Sequence, residues 1–446
     1  MISAQRDSTR GIVFLSRNLS GESLRHAEAV RKLAGVHLFG ICEHVPGNDS
    51  RRLFADLVRV TDARDADQVI AAALGLAGKH GQLHRIVTTH ETLLEAAART
   101  ANVLGLEGHT PSEVRRVLDK ARLKPILRRS GIDTARDRIL TAAEDADGFV
   151  GDVGFPIVLK PLGGSGGLAT WCIRDTSELK LALELMQPSP TNPVLAEEYL
   201  RGRELCIDTI TIASEPCVSS VCCYRPSILE ALENPLIQWS CVMSRDVTGA
   251  EYRDFIEQGL GAVRALSIGD AMTHMEGFIL DTGGVRFTDA TLRPAGARIA
   301  PMLAFAYDVD PYLAWARAVV DGVFDGPWNR QYAVGTVFLR GTGRGLVEEV
   351  QGIESVKRQL GDLLVDGREP RVGSARSATY TGDGYITVRH PETEAVEDAL
   401  DLITETVKIS YTHSGSRMPA GVPKTEDWRE RLQYRDRQLN RPAWEN

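Results

Sequence analysis

Phe155-Pro156-Ile157-Val158-Leu159-Lys160-Pro161-Leu162-Gly163-Gly164-Ser165-Gly166-Gly167 is the stretch on which the reading of this chain turns. Its first half is an apolar run ended by a lysine, the pattern of a buried strand that emerges at a polar edge. Its second half is dense in glycine. Glycines so close together let backbone N–H groups approach phosphate oxygens, because no Cβ intervenes. A P-loop is excluded, since no Gly-Lys-Ser/Thr follows and no helix pattern opens behind the run. Gly164-x-Gly166-x-x-Ala169 matches a dinucleotide fingerprint in letters, but Leu168 to Arg174 reads as a strand. A helix N-terminus is what would hold a pyrophosphate there. A strand–glycine loop–strand hairpin folding over phosphates fits better. By itself the run fits a plain hairpin turn as well, and its surroundings must decide.

Upstream, the first hundred residues alternate strand and helix signals. Gly11 to Leu15, Val36 to Cys42, Leu57 to Thr61 and Arg85 to Thr88 read as short strands, with Glu22 to Leu33, Ala66 to Ala77 and Glu91 to Leu104 as the helices between and after them. That alternation means a parallel sheet covered by helices. Gly105 to Pro111 closes the unit. A helical stretch follows from Val114 to Arg129 with a break expected at Pro125, because proline removes a helix hydrogen bond.

Downstream, Val194 to Ala196 runs into Glu197-Glu198-Tyr199-Leu200-x-Gly202-x-Glu204. Such a connector can present backbone groups to an adenine edge, and a carboxylate a few residues on can accept both ribose hydroxyls. The most chemical stretch is His274-Met275-Glu276 followed by Asp289-x-Thr291-x-Arg293-Pro294-x-Gly296. Gly283-Gly284 between them signals a hairpin turn. In that hairpin Glu276 and Asp289 face one another and can hold Mg²⁺ through oxygen. Arg293 would share their strand face and meet a transferring phosphoryl group. The competing reading is a cross-strand salt-bridge cluster of Glu276, Asp289 and Arg293.

Composition sets the frame. At 446 residues, 43% hydrophobic and 25% charged, the chain has room for about three domains. We expect an α/β and α+β multidomain protein: an N-terminal parallel-sheet domain (1–111), a central domain (112–325), a small C-terminal α+β domain (326–415) and a polar tail (416–446). A net charge of −8 argues against general nucleic-acid binding, which needs a basic surface. No run approaches the roughly 18 apolar residues of a membrane span, and Met1 to Arg10 lacks the apolar middle of a secretory signal. The seven cysteines form no C-x-x-C pair; buried thiols in a reducing, cytoplasmic setting are expected.

In order and spacing, four blocks resemble the ATP-grasp superfamily. They are Asp119-Lys120; Phe155 to Pro161 with its glycine loop; Glu197 to Glu204; and Glu276 with Asp289-Ala290-Thr291-Leu292-Arg293-Pro294. Tyr332 to Gly341, Gly352-Ile353 and Ile403 to Tyr411 are similar to the C-terminal part of carboxylate–amine ligases that include L-amino acid ligases. The resemblance implies a central ATP-grasp fold holding ATP between two subdomains. Lys120 and Lys160 would touch phosphates, Gly163, Gly164, Ser165, Gly166 and Gly167 would close over them, and Glu197, Glu198, Leu200 and Glu204 would bind adenosine. Glu276, Asp289 and Thr291 would bind Mg²⁺, with Arg293 catalytic and with His274 and Arg298 as candidates to face the carboxylate substrate. It implies a ligase forming an amide or peptide bond from small-molecule carboxylate and amine substrates, through an acyl phosphate, with release of ADP and phosphate. Similar ligases often form a homodimer.

Two departures stand out. The family usually has Glu where Asp289 stands and Asn where Thr291 stands. Asp reaches about 1.5 Å less, which puts a second metal ion in question. The alternatives are a non-catalytic nucleotide-binding module and a biotin-carboxylase-like subunit. The chain has no Met-Lys biotin acceptor, and no G-x-G-x-x-G follows the first strand as a dehydrogenase would require.

Overall fold

The computed structural model describes residues 9–45, 47–162, 170–234, 238–377 and 379–413. The glycine run Gly163 to Gly167 and the polar tail lie outside them. No helix among the described residues is long and apolar enough to cross a membrane.

The first four strands, β1 (Arg10–Asn18), β2 (Val36–His44), β3 (Asp56–Arg59) and β4 (Leu83–Val87), form a parallel sheet in the order β3-β2-β1-β4. The near-continuous apolar runs of β1 and β2 are explained by burial on both faces. Val13 and Leu15 pack toward the helices Ala66–His80 and Leu94–Leu104. Ile12 and Phe14 turn the other way, into a core shared with Trp239, Met302 and Trp315. Period-two alternation thus welds this sheet to the rest of the molecule.

The expected break at Pro125 falls elsewhere. One helix runs Pro111–Leu118 and a second Lys120–Arg129, with extended Asp119 between them and Pro125 accommodated inside the second. Asp119 accepts a hydrogen bond from the Ala121 N–H at 3.0 Å, supplying the N-cap that a new helix needs. The break there places Lys120 and Lys124 one turn apart on one face.

A small antiparallel sheet, order β5-β8-β6-β7, follows from β5 (Asp137–Leu140), β6 (Ile157–Pro161), β7 (Trp171–Ile173) and β8 (Val194–Glu198). Its apolar face, with Ile157, Leu159, Trp171 and Ala196, packs on Phe149 and Leu179. Val158 pairs with Glu197 across β6 and β8, so Val158, Lys160 and Glu197 share the opposite face.

The remaining strands are β9 (Gly202–Ile212), β10 (Glu215–Arg225), β11 (Trp239–Met243), β12 (Ala271–Leu280), β13 (Val285–Thr291), β14 (Ala333–Leu339), β15 (Arg344–Gln351), β16 (Leu364–Arg368), β17 (Gly384–His390) and β18 (Lys408–His413). Eight of them make one large sheet in the order β13-β12-β9-β10-β11-β14-β17-β16, and β15 pairs with β18. Three of the strands after residue 326, β14, β16 and β17, therefore extend the sheet that carries Glu276 and Asp289, while β15 and β18 stand apart as a two-stranded sheet. Leu205, Ile207, Met275 and Phe287 fill the core under the helix Ala250–Leu266, where Phe287 stacks on Phe255 with ring centroids 5.1 Å apart. The alternate positions Glu204, Cys206, Asp208, His274 and Glu276 face the other way.

The β12–β13 hairpin turns at Gly283 and Gly284, with φ of +87° and +86°, values open to glycine at little cost. Glu276 stands opposite Asp289 and Gly277 opposite Phe287, leaving Thr288 as a bulge residue. Bulges re-aim side chains beside functional sites. A Cβ on Gly277 would stand 2.7 Å from the Arg286 carbonyl oxygen and 3.2 Å from the Phe255 ring. Gly277→Ala is therefore expected to destabilise the protein by about 1–3 kcal/mol, read by thermal or urea unfolding. Unchanged stability would contradict the packing described.

On the face of the small sheet opposite its apolar one, Glu197 is 3% exposed and lies between two ammonium groups. Lys160 Nζ is 2.5 Å from its Oε2, and Lys124 Nζ pairs with its Oε1. Lys124 also reaches the Ala135 carbonyl at 3.3 Å. Burial raises the Glu197 carboxyl, but the two lysines outweigh it and hold the group down at about 2. A carboxyl lowered in the folded state adds stability that is complete above its unfolded value of 4.5 and is lost as pH falls toward 2. Glu197→Gln leaves two buried ammonium groups facing one another, so we expect a loss of about 3–5 kcal/mol at neutral pH. The variant's stability should also fall less steeply than wild type between those pH limits; parallel curves would refute the assignment.

Candidate nucleotide and metal site

Between the small sheet and the large one runs a cleft whose two ends differ in chemistry. Val158, Leu200, Ile228, Leu229, Leu232 and Phe278 line an apolar end, while Lys120, Lys160, Glu276, Asp289, Thr291 and Arg293 line a charged end. A flat apolar group and an anion on one ligand would be matched by the two ends.

The charged end is a set of cross-paired ions. Lys120 is 4% exposed and its Nζ lies 2.9 Å from Asp289 Oδ2. Burial alone would lower that ammonium group, but Asp289, with Glu91 and Glu197 behind it, holds it above its ordinary value. Arg293 lies two residues past the end of β13 and not within it; its guanidinium meets Glu91 at 3.0 Å. Glu91 comes from the segment after β4, at the carboxyl edge of the parallel sheet, where open α/β sheets place their ligands. Burial raises its carboxyl despite Arg293.

Glu276 and Asp289 are direct cross-strand partners. The carboxylate of Glu276 accepts from Tyr224 Oη at 3.3 Å and from His274 Nε2 at 3.3 Å, both on Oε1. Thr291 Oγ1 is buried and closes no hydrogen bond of ordinary length among the described residues, with Glu91 close enough for a weak one. Two carboxylates and an underused hydroxyl form an all-oxygen donor set, which suits a hard cation such as Mg²⁺. Glu204, farther along the cleft, is buried and accepts from the Ile228 N–H at 2.7 Å. Burial and then the charge of Glu276 raise its carboxyl to about 8.

The sequence-predicted residues divide as follows. Lys120, Lys160, Glu197, Glu198, Leu200, Glu204, His274, Glu276, Asp289, Thr291 and Arg293 all line this one cleft. Glu197, however, is spent on Lys124 and Lys160, and the Glu198 N–H is already given to the Arg136 carbonyl at 2.9 Å. His274 has its ring nitrogens on Asp208 and Glu276, which ties it to the sheet. Arg298 does not join the lining: its guanidinium pairs with Asp366 and stacks 3.7 Å over the Tyr385 ring. The residues that sequence reasoning missed are Lys124, Glu91, Tyr224, Asp208 and Tyr380. Asp208 carried a signal, an acid inside the otherwise apolar alternation of Leu205 to Ile212. Lys124 carried one too, four residues after Lys120 on a helix.

Comparison with known proteins places this geometry. No protein-family model matches the chain. A stretch of 116 residues, 26% of the chain, is 33% identical to the mitochondrial arginine-specific large chain of carbamoyl phosphate synthase from Neurospora crassa, of which it spans 10%. The crystal structure of L-amino acid ligase from Bacillus licheniformis superposes with a TM-score of 0.73 at 18% identity, over 91% of this chain and 100% of that one. The biotin carboxylase domain of Hydrogenobacter thermophilus 2-oxoglutarate carboxylase, solved with MgADP and bicarbonate, gives 0.65 at 16% identity over 90% of each. At such identities the likeness speaks to architecture, and it extends over nine tenths of the chain: the chain has the ATP-grasp fold.

Proposed function

We propose that the chain is an ATP- and Mg²⁺-dependent carboxylate–amine ligase. The observation that carries the reading is the cleft itself: an apolar slot continuous with a charged end where Lys120, Lys160 and Arg293 meet Glu276 and Asp289. In this reading the base lies against Leu200, Ile228 and Leu229, and Glu204 accepts the ribose hydroxyls. Lys120 and Lys160 take phosphate oxygens, and the run Gly163 to Gly167 supplies further N–H donors. Mg²⁺, when bound to Glu276, Asp289 and Thr291, neutralises charge on the phosphates.

The residues' work is to hold, orient and balance charge. Binding exchanges partners: Lys120 leaves Asp289 for a phosphate, and Asp289 is freed for the cation. Both charges stay paired throughout, so the change of state costs less than exposing either alone. A substrate carboxylate oxygen then attacks the γ-phosphorus and ADP departs. An amine nitrogen attacks the resulting acyl phosphate, phosphate leaves, and the amine's proton is lost. Arg293, at the charged end, stabilises the charge that develops in both steps. Glu91, its partner in the structure, is placed on the N-terminal side of the cleft, where an amine would meet a carboxylate. No covalent bond to the protein is needed, and catalysis rests on positioning and electrostatics.

The test is release of ADP or phosphate from ATP and Mg²⁺ against a panel of amino acids and small carboxylates, singly and in pairs. Release should require a carboxylate and an amine together. Arg293→Ala should lose about 2.7–4 kcal/mol of transition-state stabilisation, roughly a 10²–10³-fold fall in kcat. Nucleotide binding with no pair-dependent release, and no gain on Asp289→Glu, would instead indicate a binding module.

A further inference from the structure

Strand β9 carries a carboxylate where an apolar strand has no packing use for one. Asp208 is 2% exposed, and a buried carboxylate needs a partner. The β9–β12 register sets it opposite His274, and His274 Nδ1 lies 3.0 Å from its Oδ1. The other ring nitrogen, Nε2, lies 3.3 Å from Glu276 Oε1. The ring is thereby held between two carboxylates, one on each strand. Cys206 Sγ adds a weak bond to Asp208 Oδ2 at 3.5 Å. The chain of bonds ends at Glu276, and the steps proposed above use neither Asp208 nor His274.

We infer that Asp208 and His274 are positioning residues for the divalent cation, tethering one oxygen of Glu276 so that the other is presented to the metal. This rests on the nucleotide-and-magnesium reading and adds to it. All three residues lie on neighbouring strands of one sheet, so the tether has little freedom to drift. Tyr224, from β10, holds the same oxygen from another side at 3.3 Å. The remaining oxygen of Glu276 makes no hydrogen bond among the described residues. A carboxylate fixed this way gives up little rotational freedom when it binds metal, which is why partners of metal ligands matter nearly as much as the ligands. The donor atoms of Cys206, Asp208 and His274 also lie within 4.8 Å of one another. A cation held through Nδ1 would have to displace the His274–Asp208 hydrogen bond, so the cluster is better read as a tether than as a second metal site.

The experiment measures Mn²⁺ affinity by electron paramagnetic resonance at saturating ADP on the full chain, beside ADP affinity in metal-free buffer. Asp208→Asn and His274→Gln should each weaken Mn²⁺ by about 10–100-fold while leaving metal-free ADP binding within about 2-fold of wild type. Cys206→Ala should change neither. Two variants are used so that if one fails to fold the other decides. Wild-type Mn²⁺ affinity in a folded variant overturns the inference. So does an equal loss of metal-free ADP binding, which would mark a general structural role, and so does a Mn²⁺ loss in Cys206→Ala, which would mark a cluster site. If the wild-type chain binds no ADP, the nucleotide reading has failed first and takes the inference with it.

Discussion

Charge confined in a space with little water is the constraint on which this molecule is built. Three cationic side chains, Lys120, Lys160 and Arg293, line one cleft, a fourth, Lys124, pairs with Glu197 beside them, and each of the four is mostly or wholly buried. Left unpaired, each would cost several kcal/mol. The structure meets that cost with Asp289, Glu197 and Glu91, drawn from three separate elements. The helix beginning at Lys120, the two sheets and the N-terminal unit are therefore held to one another by ions as well as by apolar packing. In the proposed function, the same pairing holds the groups that would take phosphate and metal in place before either ligand arrives.

The pairs divide into two kinds. The Lys124–Glu197–Lys160 cluster lies on the inner side of the small sheet, and Glu197 is shared by two ammonium groups. It is suited to stay as it is. The Lys120–Asp289 and Arg293–Glu91 pairs lie at the cleft, and Asp289 is 31% exposed. They are suited to exchange partners. Catalysis in the proposed ligase would draw on the second kind while resting on the first.

Much of this was legible in the sequence because it depends on local period and local turns. The parallel N-terminal sheet followed from alternating apolar runs, and the β12–β13 hairpin followed from Gly283-Gly284 between two acidic strands. Register then did the rest, since residues opposite one another across a ladder must share a face. What was not legible depended on facing and on long-range partners. Glu197 and Glu198 are neighbours on a strand, and the letters alone do not say which turns into the ionic cluster. Arg298 lies five residues from Arg293, yet Ala297 and Arg298 take left-handed backbone with φ of +49° and +59°, and the chain turns Arg298 onto Asp366. Glu91 and Arg293 are 202 positions apart, and only the fold brings them together. The helix break was misplaced because proline is a visible breaker, whereas the capping by Asp119 that sets the true break appears only with the backbone.

The proposed function makes the ionic cleft a magnesium–nucleotide site whose buried pairs trade partners on binding. A crystal structure of the full chain with ADP and Mg²⁺ tests it most directly. The expected result is phosphate oxygens on Lys120 and Lys160, the metal between Glu276 and Asp289, and the Lys120–Asp289 pair opened while Lys124–Glu197–Lys160 stays closed. Nucleotide bound outside this cleft, or bound within it with the Lys120–Asp289 pair intact and no metal on Glu276, would contradict it.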